Sequence, residues 1–443
     1  MDFLNGNIRK IYFKYLAAAF GSAMITSVYS IVDMAMVGQY QGPDGTAALA
    51  VVAPVWNIIY SLGLLMGIGG SVIFSIERGS GEQHTAGSEN QYFTAAVIGS
   101  VLLAVLAWAA LLLFETPLLT FFGASEELLG LAQRYLQPVK FVFPLFLFNQ
   151  MLAAFLRNDN DPTLATAGVL AGGVFNMFGD WFFVFPCGLG VYGAGLATAI
   201  GSAVSFCVML THFFKRANTL RLMRPTALAR KLQKITVIGF SSFFIDAAMG
   251  ILTVLFNRQI MKYLGTDALA VYGPIINVST FVQCCAYSVG QAAQPIISTN
   301  FGSGRGGRIR ETLRLALGTV AFFGVFWTAL SMAVPNLYIR IFMSPTPAIL
   351  QIAPSIIRTY AVSFLLLPFN IFSTYYFQAI LQPKVSFVVS VARGLVISGA
   401  LILLLPVTAG PDKLWLAMPI TELVVAVYAA RNIQHSTRAL PES

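Results

Sequence analysis

Two aspartates stand inside apolar sequence, Asp33 in the run Tyr29-Ser-Ile-Val-Asp33 and Asp180 in Asn176-Met-Phe-Gly-Asp180. A carboxylate at mid-membrane depth costs roughly 2.5–3.5 kcal/mol on insertion scales, so each needs a partner or a wet cavity. Asn176 precedes Asp180 by one helical turn on the same face, and Tyr29 stands in the same relation to Asp33. Thr198 adds a hydroxyl early in the next apolar segment. At about 1.5 Å per residue, both aspartates fall on the order of 10 Å inside the outer edge of their segments, with Thr198 at a similar level. Two carboxylates, an amide and a hydroxyl gathered at one level suit a proton or a small hard cation such as sodium. The alternative is two unrelated packing sites, each aspartate tied to its own helix neighbour.

The elements that must position these groups are membrane helices. Hydrophobic residues make up 57% of the 443 and charged residues only 10%, against roughly 25% charged in an ordinary soluble domain. A mean hydropathy of +0.75 cannot be buried in one water-soluble core, so the bilayer must solvate much of the surface. Twelve mainly apolar stretches are long enough to span, near 11–40, 47–76, 91–114, 128–156, 163–186, 192–214, 234–261, 267–298, 312–334, 349–379, 385–406 and 412–432. Met1–Asn7 is polar, and Arg9, Lys10 and Lys14 lead into a segment too long for a signal-peptide core, so no cleaved signal is expected.

The net charge of +9 reads as topology rather than as a nucleic-acid footprint. With a cytoplasmic N-terminus, 19 of the 27 basic residues fall in inner loops and termini, the bias expected of twelve spans with both termini inside. Seven of them lie in residues 215–234, the longest hydrophilic connection, read as a solvated linker. It divides the chain into a lobe at 1–214, a linker at 215–233 and a lobe at 234–443.

The halves resemble each other. Gly45-Thr-Ala-Ala-Leu-Ala-Val-Val-Ala-Pro-Val-Trp-Asn57 recurs as Gly265-Thr-Asp-Ala-Leu-Ala-Val-Tyr-Gly-Pro-Ile-Ile-Asn277, matching at eight of thirteen positions at an offset of 220. Gly70 and Gly290 keep that offset, a Gly-Ser-Gly follows at 79–81 and 302–304, and Pro162 and Pro383 precede the fifth span of each half. Six spans per half means both copies enter the membrane in the same direction, a parallel repeat. The expectation is an all-α polytopic membrane protein, two six-helix lobes related by a pseudo-twofold around a central cleft, as alternating access requires.

Other polar groups have plainer readings. Asp246 lies near mid-depth in the seventh span and is the first candidate for a second functional acid. Glu422, Arg358 and Arg393 are expected to form ion pairs within or between lobes. Cys187, Cys207, Cys284 and Cys285 form no spaced pair, and His84, His212 and His435 fall in loops or at span ends without an HExxH, so disulfide, zinc and hydrolase readings are weak. A few of the 14 Met and 36 Phe could line a cleft that accepts lipophilic cations by dispersion and cation–π contact.

These residues resemble the multidrug and toxic compound extrusion (MATE) transporters along nearly the whole chain. The resemblance rests on Val32-Asp33-Met-Ala-Met-Val-Gly38, the segment Gly45–Pro54, the Asn176-x-x-x-Asp180 element followed by Gly193-Ala-Gly-Leu-Ala-Thr198, the run Gln291–Gly304, Phe377-Gln378-Ala-Ile and Arg393. It implies two six-helix lobes and cation-driven efflux. In one branch of the family the first-lobe ion site matches Asp33, Asn176, Asp180 and Thr198, here a site for H⁺ or Na⁺. Tyr29 and Asn149 match polar positions near its cavity, which with Asp246 makes them candidate substrate contacts. In another branch acids of the seventh and tenth spans contribute, but the tenth span here has Asn370 and no acid.

The functional expectation is a cation-coupled antiporter exporting organic cations, a multi-pass monomer of a prokaryotic inner membrane, with no cofactor and no nucleic-acid partner. The alternatives are a flippase for lipids or lipid-linked glycans, a membrane-embedded enzyme, and a channel.

Overall fold

The computed structural model describes residues 3–80, 87–342 and 345–441. Gly81 of the first Gly-Ser-Gly and His84 lie outside the described residues. Every regular element among those described is helical. The first half holds α1 (Ile8–Gln41), α2 (Pro43–Gly79), α3 (Ser88–Phe121), α4 (Glu126–Val139), α5 (Phe143–Asn158), α6 (Pro162–Val184) and α7 (Gly190–Leu210). The second holds α8 (Leu228–Tyr263), α9 (Gly265–Gly302), α10 (Gly306–Ala333), α11 (Pro335–Phe342), α12 (Pro347–Ala361), α13 (Leu367–Ala379), α14 (Pro383–Val391), α15 (Ile397–Thr408) and α16 (Ala417–Arg438). Eleven of the helical segments are long and apolar enough to cross a membrane, and α4 with α5, bent by 61°, makes a twelfth.

Helix starts follow capping chemistry. Ser125, Asp161 and Thr346 accept from the amides of Leu128, Leu164 and Ile349 at the starts of α4, α6 and α12, and proline occupies the first turn of α6 and α12. The span expected at 128–156 breaks between α4 and α5, just before Pro144, and the span at 349–379 breaks between α12 and α13, just before Pro368. Each is the fourth span of its half, and each restarts with proline in its first turn.

The chain forms two compact units, Ala17–Phe243 and Met1–Leu16 with Phe244–Ser443. Their boundaries fall inside α1 and α8, so residues 215–233 lie within the first unit. The basic side chains there are mostly exposed, but the backbone is tied down. Thr219, Arg221 and Met223 donate amides to Asp159, Asn90 and Thr94. In the first unit α6 packs along α7, and α2 along α3 and α5; in the second α9 packs on α10 and α13. The two units repeat a packing detail. A methyl on Gly70 would lie 2.9 Å from the Phe155 ring, and one on Gly290 would lie 2.5 Å from the Tyr375 ring. Both members of each pair keep the 220-residue offset, so glycine is required where an aromatic ring meets the backbone.

His212, expected at a span end, is fully buried. Its ring nitrogens face Asp159 at 2.7 Å and Asp161 at 3.1 Å, while Arg78 and Lys215 pair with the same two carboxylates. Burial works against ionisation of Asp161, but the hydrogen bonds from His212 and Lys215 and the lysine's charge outweigh it and hold its pKa at about 2. Asp159 is likewise held below the usual carboxylate range, hydrogen bonds from His212 and Thr219 and the charge of Arg78 overcoming its burial. Carboxyls depressed in the folded state stabilise it above the unfolded value near 4, and that contribution is lost as pH falls towards 2. Solvent reaches part of the Asp161 site and screens its charges. Melting scans between about pH 5 and 2 should therefore show a loss of about 1 kcal/mol from Asp161, absent in Asp161→Asn.

Candidate functional site

Small residues build the site. Gly172 on α6 and Gly201 on α7 meet so closely that a methyl on either would lie 2.5 or 2.8 Å from the other's carbonyl oxygen. This is the close backbone approach by which membrane helices associate. It brings Asn176 Nδ2 to 3.1 Å from Thr198 Oγ1. On the other side of α7, a methyl on Gly195 would run into the Tyr135 carbonyl, so glycine lets α4 lie against α7 and sets the Tyr135 hydroxyl 3.2 Å from Thr198 Oγ1. The same hydroxyl donates to Asp33 Oδ2 of α1 at 3.0 Å. Since Tyr135 has one proton and gives it to Asp33, Thr198 donates to Tyr135 and Asn176 to Thr198. The result is a one-way donor chain ending on the carboxylate, each bond polarising the next.

The structure thus links Asp33, Asn176 and Thr198 through hydrogen bonds. Asp180, one turn further along α6 than Asn176, is fully buried and feels the charge of Asp33. Among the described residues Asp33 Oδ1, Asn176 Oδ1 and both Asp180 carboxylate oxygens have no hydrogen-bond partner. Buried acceptors without donors are costly, and a proton or a sodium ion is what such oxygens can accept. No group of three or more His, Cys, Asp or Glu side chains among the described residues is placed to hold a metal, so a sodium ion here would rely on the amide and hydroxyl oxygens beside two carboxylates.

Tyr29 hydrogen-bonds Tyr60 and lies against Gly173, whose added methyl would sit 3.1 Å from its ring. Asn149 donates at 3.0 Å to both the carbonyl and the hydroxyl of Ser202, one turn beyond Thr198, and its Oδ1 has no partner among the described residues. The Trp56 ring packs 4.7 Å from that of Phe146 and 6.3 Å from that of Tyr135, forming an aromatic wall beside the donor chain. Tyr135 and Tyr60 are not legible in the sequence, since nothing in their spacing distinguishes them among 16 tyrosines. Tyr135→Phe removes the donor to Asp33 while keeping the ring. Transport should fall about tenfold, the value of one hydrogen bond to a charged group, with the melting temperature little changed.

The acids of the second unit are partnered differently. Asp246 accepts from Tyr287 at 3.2 Å and meets no second acid among the described residues. Arg393, on a π-helical turn at Ala392–Val396, pairs with Glu422 at 2.8 Å, an ion pair of the kind expected from sequence, which leaves pairing within and between lobes open. Arg358 instead donates to the Met332 carbonyl. Asn370 donates to both the carbonyl and the carboxylate of Glu422, as Asn149 does to the carbonyl and hydroxyl of Ser202. The internal repeat therefore extends to side-chain wiring, with Glu422 standing 220 residues after Ser202. A cavity of about 60 Å³ beside Arg393 is walled by Phe256, Tyr272, Tyr360, Met249 and Met418.

A family model described as MatE matches residues 18–182 and 240–402. Among curated proteins, the multidrug export protein MepA of Staphylococcus haemolyticus is 24% identical over 419 residues, covering 93% of this chain and 91% of its own. That of Staphylococcus saprophyticus is 24% identical over 379 residues, covering 85% and 82%. Among solved structures, an outward-facing multidrug resistance MATE family transporter of the MOP superfamily superposes with a TM-score of 0.89 at 20% identity, covering 100% of this chain and 98% of that one. A MOP superfamily transporter from Pyrococcus furiosus, described as having a binding pocket of reverse polarity, gives the same TM-score, identity and coverage. At these identities the structural likeness is one of fold.

Proposed function

The chain belongs to the MatE family of membrane transporters, and from that premise we propose that it is an antiporter, exporting organic cations or drugs by alternating access against an inward flow of H⁺ or Na⁺. The observation that carries this reading is the pair of carboxylates, half-buried Asp33 and fully buried Asp180, with four acceptor oxygens in their group left without partners among the described residues. A cation arriving from outside is held by Asp33, Asn176, Asp180 and Thr198. It offsets the two negative charges and favours the arrangement of α1, α4, α6 and α7 in which they converge. A ligand shifts such an equilibrium only by its differential affinity for the two states, so the ion must bind the substrate-releasing state more tightly.

Tyr29, Asn149 and the aromatic wall at Trp56 and Phe146 supply polar and π surfaces for an organic cation, with Asp246 a contact in the second lobe. The relatives named as multidrug exporters support a drug-like cargo. The moving bodies are the two six-span lobes on either side of residues 215–233, carried by one chain in a prokaryotic inner membrane. The concentration of basic residues at the loops sharing a face with both termini supports a cytoplasmic placement of the termini. Proteoliposomes loaded with a fluorescent lipophilic cation test the reading under separately imposed proton and sodium gradients. One gradient should accelerate efflux, and if neither does the antiport reading fails.

A further inference from the structure

A groove of about 640 Å³ runs along the second unit between α10, α13 and α16. Its lining is graded. Arg310 and Arg438 stand at one end with Thr437 and Gln434 beside them, and Leu313, Leu317, Phe369 and Ile433 supply the apolar wall. Arg310, Leu313 and Leu317 follow a spacing of three and four along α10, and on the facing side of α16 Ile433 with Thr437, and Gln434 with Arg438, stand one turn apart. At 1.5 Å per residue the apolar wall reaches about 10 Å deeper into the helix layer than the arginines. The charged end lies near the start of α10 and the end of α16, with the N-terminal segment also close, since Arg308 donates to the carbonyls of Phe3 and Gly6.

We propose that this groove binds one phospholipid with an anionic headgroup, drawn from the leaflet at the membrane face that carries both termini. The apolar wall takes an acyl chain, and the two guanidinium groups take the phosphate and the headgroup's negative charge. Charge complementarity selects the occupant. No acidic residue lines the groove among the described residues. Glu311, adjacent in sequence to Arg310, is exposed and projects about 100° around the helix from it. Arg310 uses one terminal nitrogen on the carbonyl of Leu440 at 2.8 Å, which fixes its position and leaves its charge uncompensated. Arg438 is exposed and has no ion pair or hydrogen bond among the described residues. Basic pockets between spans at the membrane surface are suited to anionic headgroups.

The purified full chain, reconstituted in nanodiscs with equal phosphatidylglycerol and phosphatidylcholine and released into native mass spectrometry, tests the assignment. The wild type should retain phosphatidylglycerol preferentially. Arg438→Gln, an exposed and unpaired position, should lower the preference about fivefold, and Arg310→Gln/Arg438→Gln roughly twenty- to thirtyfold. Leu317→Trp, which fills the apolar wall, should reduce retention of both lipids while leaving the headgroup preference. Equal retention of both lipids by the wild type, or an unchanged preference in Arg438→Gln and the double variant, would overturn the proposal. Because the readout is lipid occupancy rather than transport, its failure would leave the antiport reading standing.

Discussion

Proteoliposomes carrying Asp180→Asn are expected to lose gradient-driven efflux by at least about a hundredfold, the equivalent of some 3 kcal/mol lost from a buried charged site. The expectation follows from what surrounds the carboxylate. Asp180 is fully buried, and neither oxygen has a hydrogen-bond partner among the described residues. Its charge therefore contributes nothing to holding α6 in place, and the isosteric amide should leave expression and melting temperature unchanged or slightly raised. Asp33→Asn should cost transport to a similar degree, since an amide oxygen can still accept from Tyr135 but carries no charge for a cation. Full transport by both variants would show that the two aspartates are packing residues.

The largest stability effect is expected in the second unit. Arg393 and Glu422 are both buried, and the arginine's Nε donates to the glutamate at 2.8 Å. Removing one charge leaves the other buried and uncompensated, at a cost of about 3–5 kcal/mol. Glu422→Gln keeps an acceptor for Asn370 yet strands the guanidinium, so it should melt well below the wild type. Arg393→Gln/Glu422→Gln should recover most of the loss, because the neutral pair can still hydrogen-bond. Thermal unfolding of the wild type, the two single variants and the double variant in detergent forms a double-mutant cycle. Additive losses would mean that the pair is not coupled.

The twelve spans are legible in the sequence because the bilayer demands long apolar runs, a strong and local signal. The repeat is legible because Gly, Pro and Asn recur at one offset, and it reappears in the packing of Gly70 on Phe155 and Gly290 on Tyr375. Depth and helical spacing bring Asp33, Asn176 and Thr198 to one level but leave two separate packing sites equally open, and the family resemblance is what singles out the set. Tyr135 is not, because its position depends on how closely α4 approaches α7, and that is set by the missing side chain of Gly195. The breaks before Pro144 and Pro368 are also hidden. Proline is tolerated in membrane helices, so its presence does not by itself reveal a break, or the 61° bend between α4 and α5. The burial of His212 leaves no local mark, because the carboxylates that face it come from the turn before α6, about fifty residues away in sequence.

The most direct test of coupling at Asp33 and Asp180 runs the exchange backwards. If one site links ion and cargo, binding linkage makes their influence mutual. An imposed gradient of organic cation across proteoliposomes should then drive H⁺ or Na⁺ the opposite way, read with a pH- or sodium-sensitive dye. The account predicts ion movement with the wild type and none with Asp180→Asn. Ion movement that persists in Asp180→Asn, or its absence in the wild type under both dyes, would contradict it.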